Sequence, residues 1–429
     1  MTAEGEIIVE KIFAELIQRL KAEPNKIGDV LFAAEKEFER SGFREEIPVG
    51  VQNILIVRLD AIGDMILTSG VLREVRANFP QARITLVCSP LVRPIVELCP
   101  YVNEILTFDK DAFNRDFAVM FEQIATFCRD NLWQKKFALS FSPQWGSDNL
   151  PAVLMMWLSG ARERVGYGVH PYANWGVEPS AEDAALDNFL LTKNIVPPQE
   201  AISEVEHHFY LLQAIGIEIN RDNIELFYGA ADVLQACALL RDVPPNCKKV
   251  LLGIGAGFGS RQYPAEKLLI ALRVLAEKNL CFVIVGGQAE LDDANFIENS
   301  LPHGKVLNLA GKTTLRETEA IIAQTDYYIG NDSGVMHMAA AAKIPCVVLY
   351  REAQDKEDYL PGLFSEYRRF PPWQTKSVIL HPDSQLEDCA NRPPIYGWCH
   401  HREAHCITQI PPLQIVEAFE ALEAATDVH

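Results

Sequence analysis

Apolar positions along the chain fall into two long stretches in which short solid runs alternate with helical spacings. Residues 53–59 read Asn-Ile-Leu-Ile-Val-Arg-Leu. Four apolar residues in a row are the pattern of a strand buried on both faces. Helical spacing follows over 64–78, then a strand over 83–88, a helix near 94–98, a strand over 104–108, a helix over 112–128 and a strand over 137–141. The alternation weakens from about 213, and Asp242-Val243-Pro244-Pro245-Asn246 has linker composition. It resumes with strands over 248–254, 280–285, 327–330 and 345–350 and helices over 264–278, 289–299, 315–324 and 334–343. Strands alternating with helices predict an α/β protein with a parallel, doubly wound, Rossmann-like sheet in each half.

Two helices are predicted ahead of the first strand, over 6–21 and 27–40. Their apolar faces need a partner, either the body of the protein or a second subunit, so homo-oligomerisation through them is one expectation. A tract rich in Pro, aromatics and His follows the second α/β stretch, and an amphipathic helix over 413–424 ends the chain. The predicted organisation is a helical extension (1–49), a first domain (50–215), a linker (216–246), a second domain (247–410) holding a Cys-containing tract (389–406), and a terminal helix (411–429).

Composition narrows the class. A chain of 429 residues is long for one core and comfortable for two α/β domains. The formal charge of −19 repels phosphate backbones, so no nucleic-acid partner is expected. No run of about 18 apolar residues suggests a membrane span. The first residues lack the basic and apolar regions of a signal peptide, so a cytoplasmic protein is expected. The ten cysteines then read as core residues, thiols or metal ligands rather than disulfides.

Two such domains would leave a cleft between the C-terminal edges of their sheets, where open α/β sheets bind ligands. Candidate chemistry lies at those edges. Residues 58–65, Arg-Leu-Asp-Ala-Ile-Gly-Asp-Met, join the first strand to its helix. Gly63 suits a tight turn there, and Asp64 near the helix N-terminus could take a proton from a hydroxyl. Asp60 or Asp64 would equally serve as a helix N-cap. Residues 253–264 carry Gly255, Gly257, Ser260 and Arg261 between a strand and a helix, which suits an anion or a bare glycine turn. Glu290, after Gly286-Gly287, could hold ribose hydroxyls or act as a first-turn acid. Residues 330–342, Gly-Asn-Asp-Ser-Gly-Val-Met-His-Met-Ala-Ala-Ala-Ala, are the most specific. Asp332, Ser333 and Gly334 would turn into a helix whose N-terminus faces a phosphate. His337 lies one turn in, its charge growing as pH falls. The bland alternative is a capped helix with a core His. Asp109-Lys110-Asp111 reads as turn residues rather than a metal–nucleotide site.

Residues 54–64, the Asn308-Leu309-Ala310-Gly311-Lys312-Thr313-Thr314-Leu315 block and residues 331–341 together resemble glycosyltransferase family 9, which holds the ADP-heptose heptosyltransferases. The resemblance spans roughly residues 53–350 plus the final helix. It implies a two-domain GT-B fold and inverting transfer with no obligatory metal. It also implies Asp64 as general base, Arg261 in place of the usual Lys of a Lys-x-Trp-Pro-like motif, Asp332, Ser333, Gly334 and His337 at the donor phosphates, and Glu290 near the ribose. The expected function is transfer of a sugar, by this resemblance a heptose, from a nucleotide-sugar to a hydroxyl of a lipopolysaccharide sugar or a protein. The contact with such an acceptor would bring the protein to the inner-membrane surface. A GT-B protein that binds nucleotide-sugar without transferring it is the alternative. The acceptor-side segment 142–149, Ser-Pro-Gln-Trp-Gly-Ser-Asp-Asn, departs from the family in lacking Lys or Arg.

Cys389, Cys399 and Cys406, with His400, His401 and His405 nearby, could hold a structural Zn or Fe, although no C-x-x-C is present. The tract looks like the cysteine-held iron site of some autotransporter-modifying heptosyltransferases. Unligated thiols on a loop are the other reading.

Overall fold

The computed structural model describes residues 3–23, 27–41, 53–113, 117–145, 149–168, 189–198, 202–353, 366–386 and 401–426. Helices α1 (Ala3–Ala22) and α2 (Ile27–Ser41) precede the first domain. That domain comprises β1 (Asn53–Arg58), α3 (Ile62–Asn78), β2 (Arg83–Cys88), α4 (Arg93–Val96), β3 (Glu104–Thr107), α5 (Phe117–Asn131), β4 (Leu139–Ser142), α6 (Leu150–Leu158), β5 (Glu163–Tyr167), β6 (Lys193–Ile195) and α7 (Glu204–Ala214). After α8 (Ala230–Leu239) come β7 (Lys248–Gly253), α9 (Ala265–Leu275), β8 (Leu280–Val285), α10 (Leu291–Ser300), β9 (Val306–Asn308), α11 (Leu315–Ile322), β10 (Tyr327–Asn331), α12 (Gly334–Ala341), β11 (Cys346–Leu349), α13 (Glu366–Arg369), β12 (Ser377–Leu380) and α14 (Pro412–Thr426).

Each half builds a six-stranded sheet, in the orders β3-β2-β1-β4-β5-β6 and β12-β11-β10-β7-β8-β9. Every pairing is parallel, as the solid apolar runs predict. Strand order reverses between β1 and β4 and between β7 and β10. Such reversals open a crevice at the C-terminal strand ends. The crevice ends are therefore Arg58 and Ser142 in one sheet, and Gly253 and Asn331 in the other.

The predicted N-terminal helices form and find their partner within the chain. Ile12, Phe13, Leu16, Leu20, Val30, Leu31 and Phe38 are buried with Phe121, Trp133 and Trp157 of the first domain. Trp157 Nε1 donates to Glu35 Oε2 at 2.6 Å, which ties α2 to α6. The apolar faces that suggested a second subunit are thus covered by the protein's own body.

The stretch expected as a linker divides between the two halves. Arg73 of α3 donates to the carbonyls of Arg221 (2.6 Å) and Asn223 (2.9 Å) and to Glu225 (2.7 Å). Tyr101 and Ser69 also hold Glu225. Helix α8, in contrast, packs on α11 of the second domain. Terminal helix α14 packs on α9, β11 and β12. The halves meet where α3 packs on α12.

Expecting no disulfide fails at one place. Cys247, just ahead of β7, and Cys281 of β8 are joined as a disulfide across adjacent strands, running diagonally since Cys281 pairs in register with Lys249. No helix among the described residues is long and apolar enough to cross a membrane.

Candidate functional site

Buried strand β1 ends in a charge. Arg58 is 1% exposed, so its guanidinium must find counterions inside the protein. It has three. Its Nη2 donates to Asp64 Oδ1 at 2.8 Å and to Glu204 Oε1 at 3.2 Å, and its Nε lies 3.1 Å from Asp60. His208 Nε2 stands 3.4 Å from Nη1. Burial opposes the Arg58 charge, but these carboxylates outweigh it and hold the guanidinium above its usual range. Burial likewise raises Asp60, against the pull of Arg58 and Lys110. Glu204 goes the other way: Arg369, His208 and Arg58 overcome its burial and keep it well below the usual carboxylate range.

The N-cap of α3 is Ala61, which has no side-chain cap, so neither Asp60 nor Asp64 caps it. Asp60 instead accepts from Lys110 and Gln144, each at 2.9 Å. Asp64 lies in the first turn of α3, one oxygen on Arg58. The tight turn expected at Gly63 is absent, since Gly63 is helical. The glycine is needed for close approach, because a β-carbon there would stand 2.7 Å from His337 Cδ2.

Across the crevice, β10 runs into α12, whose N-cap is Ser333, extended and without a side-chain cap bond. Gly334 is required by packing: a β-carbon would stand 2.8 Å from Ile62 Cγ2 and 3.3 Å from Gly63 N. His337 is buried, and its Nδ1 has no hydrogen-bond partner among the described residues. Burial pulls its pKa down to about 4, against the opposing charge of Asp64. The charge expected to grow on this imidazole as pH falls therefore arrives only near pH 4. A ring buried away from solvent keeps its neutral form.

Arg261 follows β7. Its Nη1 lies 3.2 Å from Asp332 and its Nη2 3.2 Å from Glu366. Glu366 and Asp332 outweigh burial and raise the guanidinium. Asp332, buried at the end of β10, is pushed up to about 6 by burial despite Arg261. The acid placed there holds the Arg261 guanidinium in position. Ser260 is buried and its hydroxyl accepts from Arg351 Nη1. Arg351 also grips Glu366 through Nε at 3.0 Å and through Nη2. Asp64 acts electrostatically on His337, Arg261 and Asp332 alike, so the crevice brings these four side chains near one another.

Glu290 lies farther along the same edge. Its Oε2 accepts from Gly287 N at 2.7 Å, which fits the first-turn reading. A β-carbon on Gly255 would stand 2.7 Å from Glu290 Oε1, whereas one on Gly257 would meet nothing within 4 Å. Gly255 thus lies against the flexible Glu290 side chain, and Gly257 is unconstrained by packing. Asp109 Oδ1 accepts from Asp111 N, as the turn reading requires. Of the three C-terminal cysteines, Cys389 and Cys399 lie outside the described residues. Cys406 is buried, 3.4 Å from His405 Nδ1. Among the described residues no group of three His, Cys, Asp or Glu could hold a metal.

Sequence reasoning missed Arg351, Glu366, Glu204, Arg369 and the packing role of Trp145. Trp145 ends the β4 edge, stacked on His207 at 4.1 Å with the Arg369 guanidinium 4.2 Å over its other face. A usable signal existed for two of them. Arg351 directly follows the buried run of β11, and Glu204 and His208 are spaced four apart on α7.

The family model described as Glycosyltransferase family 9 (heptosyltransferase) matches residues 181–391, a segment that holds Arg261, Glu290, Asp332 and His337. The chain is similar to glycosyltransferase family 9 over that segment. One relative, the lipooligosaccharide heptosyltransferase 2 of Campylobacter jejuni, is 26% identical over 182 residues, 41% of this chain and 52% of that protein. The chain thus spans about half the length of this curated relative. The crystal structure of a glycosyl transferase family 9 protein from Veillonella parvula superposes with a TM-score of 0.69 at 17% identity, covering 88% of this chain and 99% of that one. The E. coli ADP-heptose lps heptosyltransferase II superposes at 0.61 and 18% identity, covering 87% and 99%. These likenesses establish the family 9 GT-B fold for both domains. Asp64 lies outside the segment that the family model matches.

Proposed function

We propose that this protein is an inverting glycosyltransferase that moves a heptose from ADP-heptose to an acceptor hydroxyl. One juxtaposition carries the reading. The Asp64 carboxylate, fixed on a buried arginine, meets the Arg261–Asp332–His337 group at the crevice between the two sheets. Asp64 takes the acceptor proton as the hydroxyl attacks the anomeric carbon from the face opposite the leaving group. Arg261, already set by two carboxylates, and the free amides of α12 stabilise the charge growing on the departing diphosphate. Neutral His337 contributes a hydrogen bond rather than a charge. With these groups in place no metal is needed for transfer.

The acceptor is a lipopolysaccharide sugar or a protein side chain; similarity to lipooligosaccharide and lps heptosyltransferases supports the first. Segment 142–149 brings no Lys or Arg to the acceptor side, which favours an acceptor less phosphorylated than a typical lipopolysaccharide core. A structural Zn or Fe on Cys389, Cys399 and Cys406 belongs to the same reading. Elemental analysis of chelator-free protein should find about one equivalent per chain, and less than about a tenth would make these residues plain thiols.

The deciding experiment incubates the protein with ADP-, UDP- and GDP-linked sugars and follows nucleotide release and the anomeric configuration of the product. Release of ADP from ADP-heptose with inverted product supports the proposal. Tight ADP binding without turnover on any acceptor would mark a binding protein instead.

A further inference from the structure

A chain of charges crosses the domain boundary. Arg369, in α13 of the second domain, donates from Nε to Glu204 Oε2 at 2.8 Å and from Nη2 to the Trp145 carbonyl at 2.6 Å. Both partners belong to the first domain. Glu204 is fully buried and uses its second oxygen on Arg58 Nη2 at 3.2 Å. That same Nη2 holds Asp64 Oδ1 at 2.8 Å. Ser203 and Glu206 close a capping box that fixes the backbone at the start of α7, where Glu204 sits.

From this geometry we infer that Arg369 is a positioning residue of the donor-side domain that acts on Asp64 through Glu204 and Arg58. The inference rests on the reading of Asp64 as the base. The physical argument concerns the shared nitrogen. With Arg369 in place, Glu204 divides its charge between two guanidinium groups and leaves Arg58 Nη2 available to Asp64. Without Arg369, a buried carboxylate oxygen is left unpaired, which is costly. The nearest relief is a turn toward Arg58 and His208, the latter 3.4 Å away, and that movement draws Arg58 off Asp64. Arg369 reaches Glu204 only while the two domains are in contact. The carboxylate that takes the proton is therefore held in place only when the donor-side domain has arrived.

The test uses the full chain and the variants Arg369→Ala, Arg369→Lys and Asp64→Asn, each measured for ADP affinity by calorimetry and for kcat and KM on ADP-heptose. R369A should lower kcat about ten-fold or more, with ADP affinity within about two-fold of the parent. R369K, which keeps a cation near Glu204 but cannot also reach the Trp145 carbonyl, should recover part of the loss. Hydrogen exchange gives a readout that needs no turnover: R369A should speed exchange over residues 58–66 as well as 202–208. Parental kcat in R369A, a parallel fall in ADP affinity, or unchanged exchange over 58–66 would each overturn the inference. D64N separates the two ideas. Full turnover in D64N removes Asp64 as base, whereas lost turnover in D64N beside full turnover in R369A removes only the positioning role.

Discussion

Gly63 and His337 touch across the domain boundary so closely that a single added carbon would not fit: a β-carbon on Gly63 would lie 2.7 Å from His337 Cδ2. His337 is buried and cannot step aside without opening α3 from α12. Gly63→Ala should therefore destabilise the protein by about 1–3 kcal/mol, the usual cost of overpacking. Urea unfolding of parent and variant measures it. Equal midpoints and slopes would mean that the ring moves freely and that the contact is not a constraint.

Asp64→Ala should cut turnover by about 10² or more, the ordinary scale of a lost general base, and leave ADP affinity almost unchanged. The arrangement behind this is the Asp64–Arg58 pair on the acceptor side of the crevice. An equal loss of ADP affinity in a titration would move Asp64 to the donor.

Arg261→Ala and His337→Ala should each weaken ADP binding by about ten- to a hundred-fold, as one hydrogen bond involving a charge is worth roughly 1.5–3 kcal/mol. Both deficits should be the same at pH 6 and pH 8. The guanidinium stays charged throughout, and His337 stays neutral because burial holds its pKa at about 4. In stability the sign is definite. Below its ordinary value of 6.5 the unfolded imidazole takes a proton that the folded one refuses until about pH 4. The contribution of His337 is whole above pH 6.5 and is lost as pH falls toward 4. His337→Asn should flatten the acid limb of the stability curve over that window, and an unaltered limb would contradict the burial argument.

Glu319 of α11 is fully buried near the domain boundary, and burial pushes its pKa up to about 8. Folded protein keeps this proton between 4.5 and about 8, where the unfolded chain has released it. Stability from this group is thus greatest below 4.5 and falls as pH rises toward 8. Glu319→Gln should match the parent near pH 4.5 and exceed it by of order 1–3 kcal/mol at pH 8–9. A variant less stable than the parent at pH 9 would show that the carboxylate has a use there.

Both sheets were legible because fully buried parallel strands such as Ile54–Val57 and Cys281–Val285 leave solid apolar runs between helical spacings. Strand β6 has three residues and β12 lies in a Pro-rich tract, so neither carries such a run. Asp64, Arg261 and His337 could be nominated from sequence because each follows the C-terminal end of a strand, the edge at which the topology opens the crevice. Glu204, Glu366 and Arg369 could not. They sit on helices far along the chain, and their meaning comes from partners 146, 105 and 165 positions away. The role of Gly63 was misread because its constraint comes from His337, which local sequence does not display. The charge state of His337 likewise depends on what surrounds it rather than on its neighbours in sequence.

Arg73 straps residues 221–225 onto α3, while α8, only five residues farther on, rides with α11. With α14 also packed on the second sheet, the crossing between the halves among the described residues is the short stretch 226–229, whose Phe227 is buried against Tyr101. A bridge so short acts as a pivot rather than a tether. It lets one half swing about a nearly fixed point but gives no preferred axis for the swing. Direction must come from whatever the halves grip when they meet, which here means Gly63 against His337 and Arg369 on Glu204. Weakening either grip should broaden the range of orientations the molecule samples before it alters either half alone.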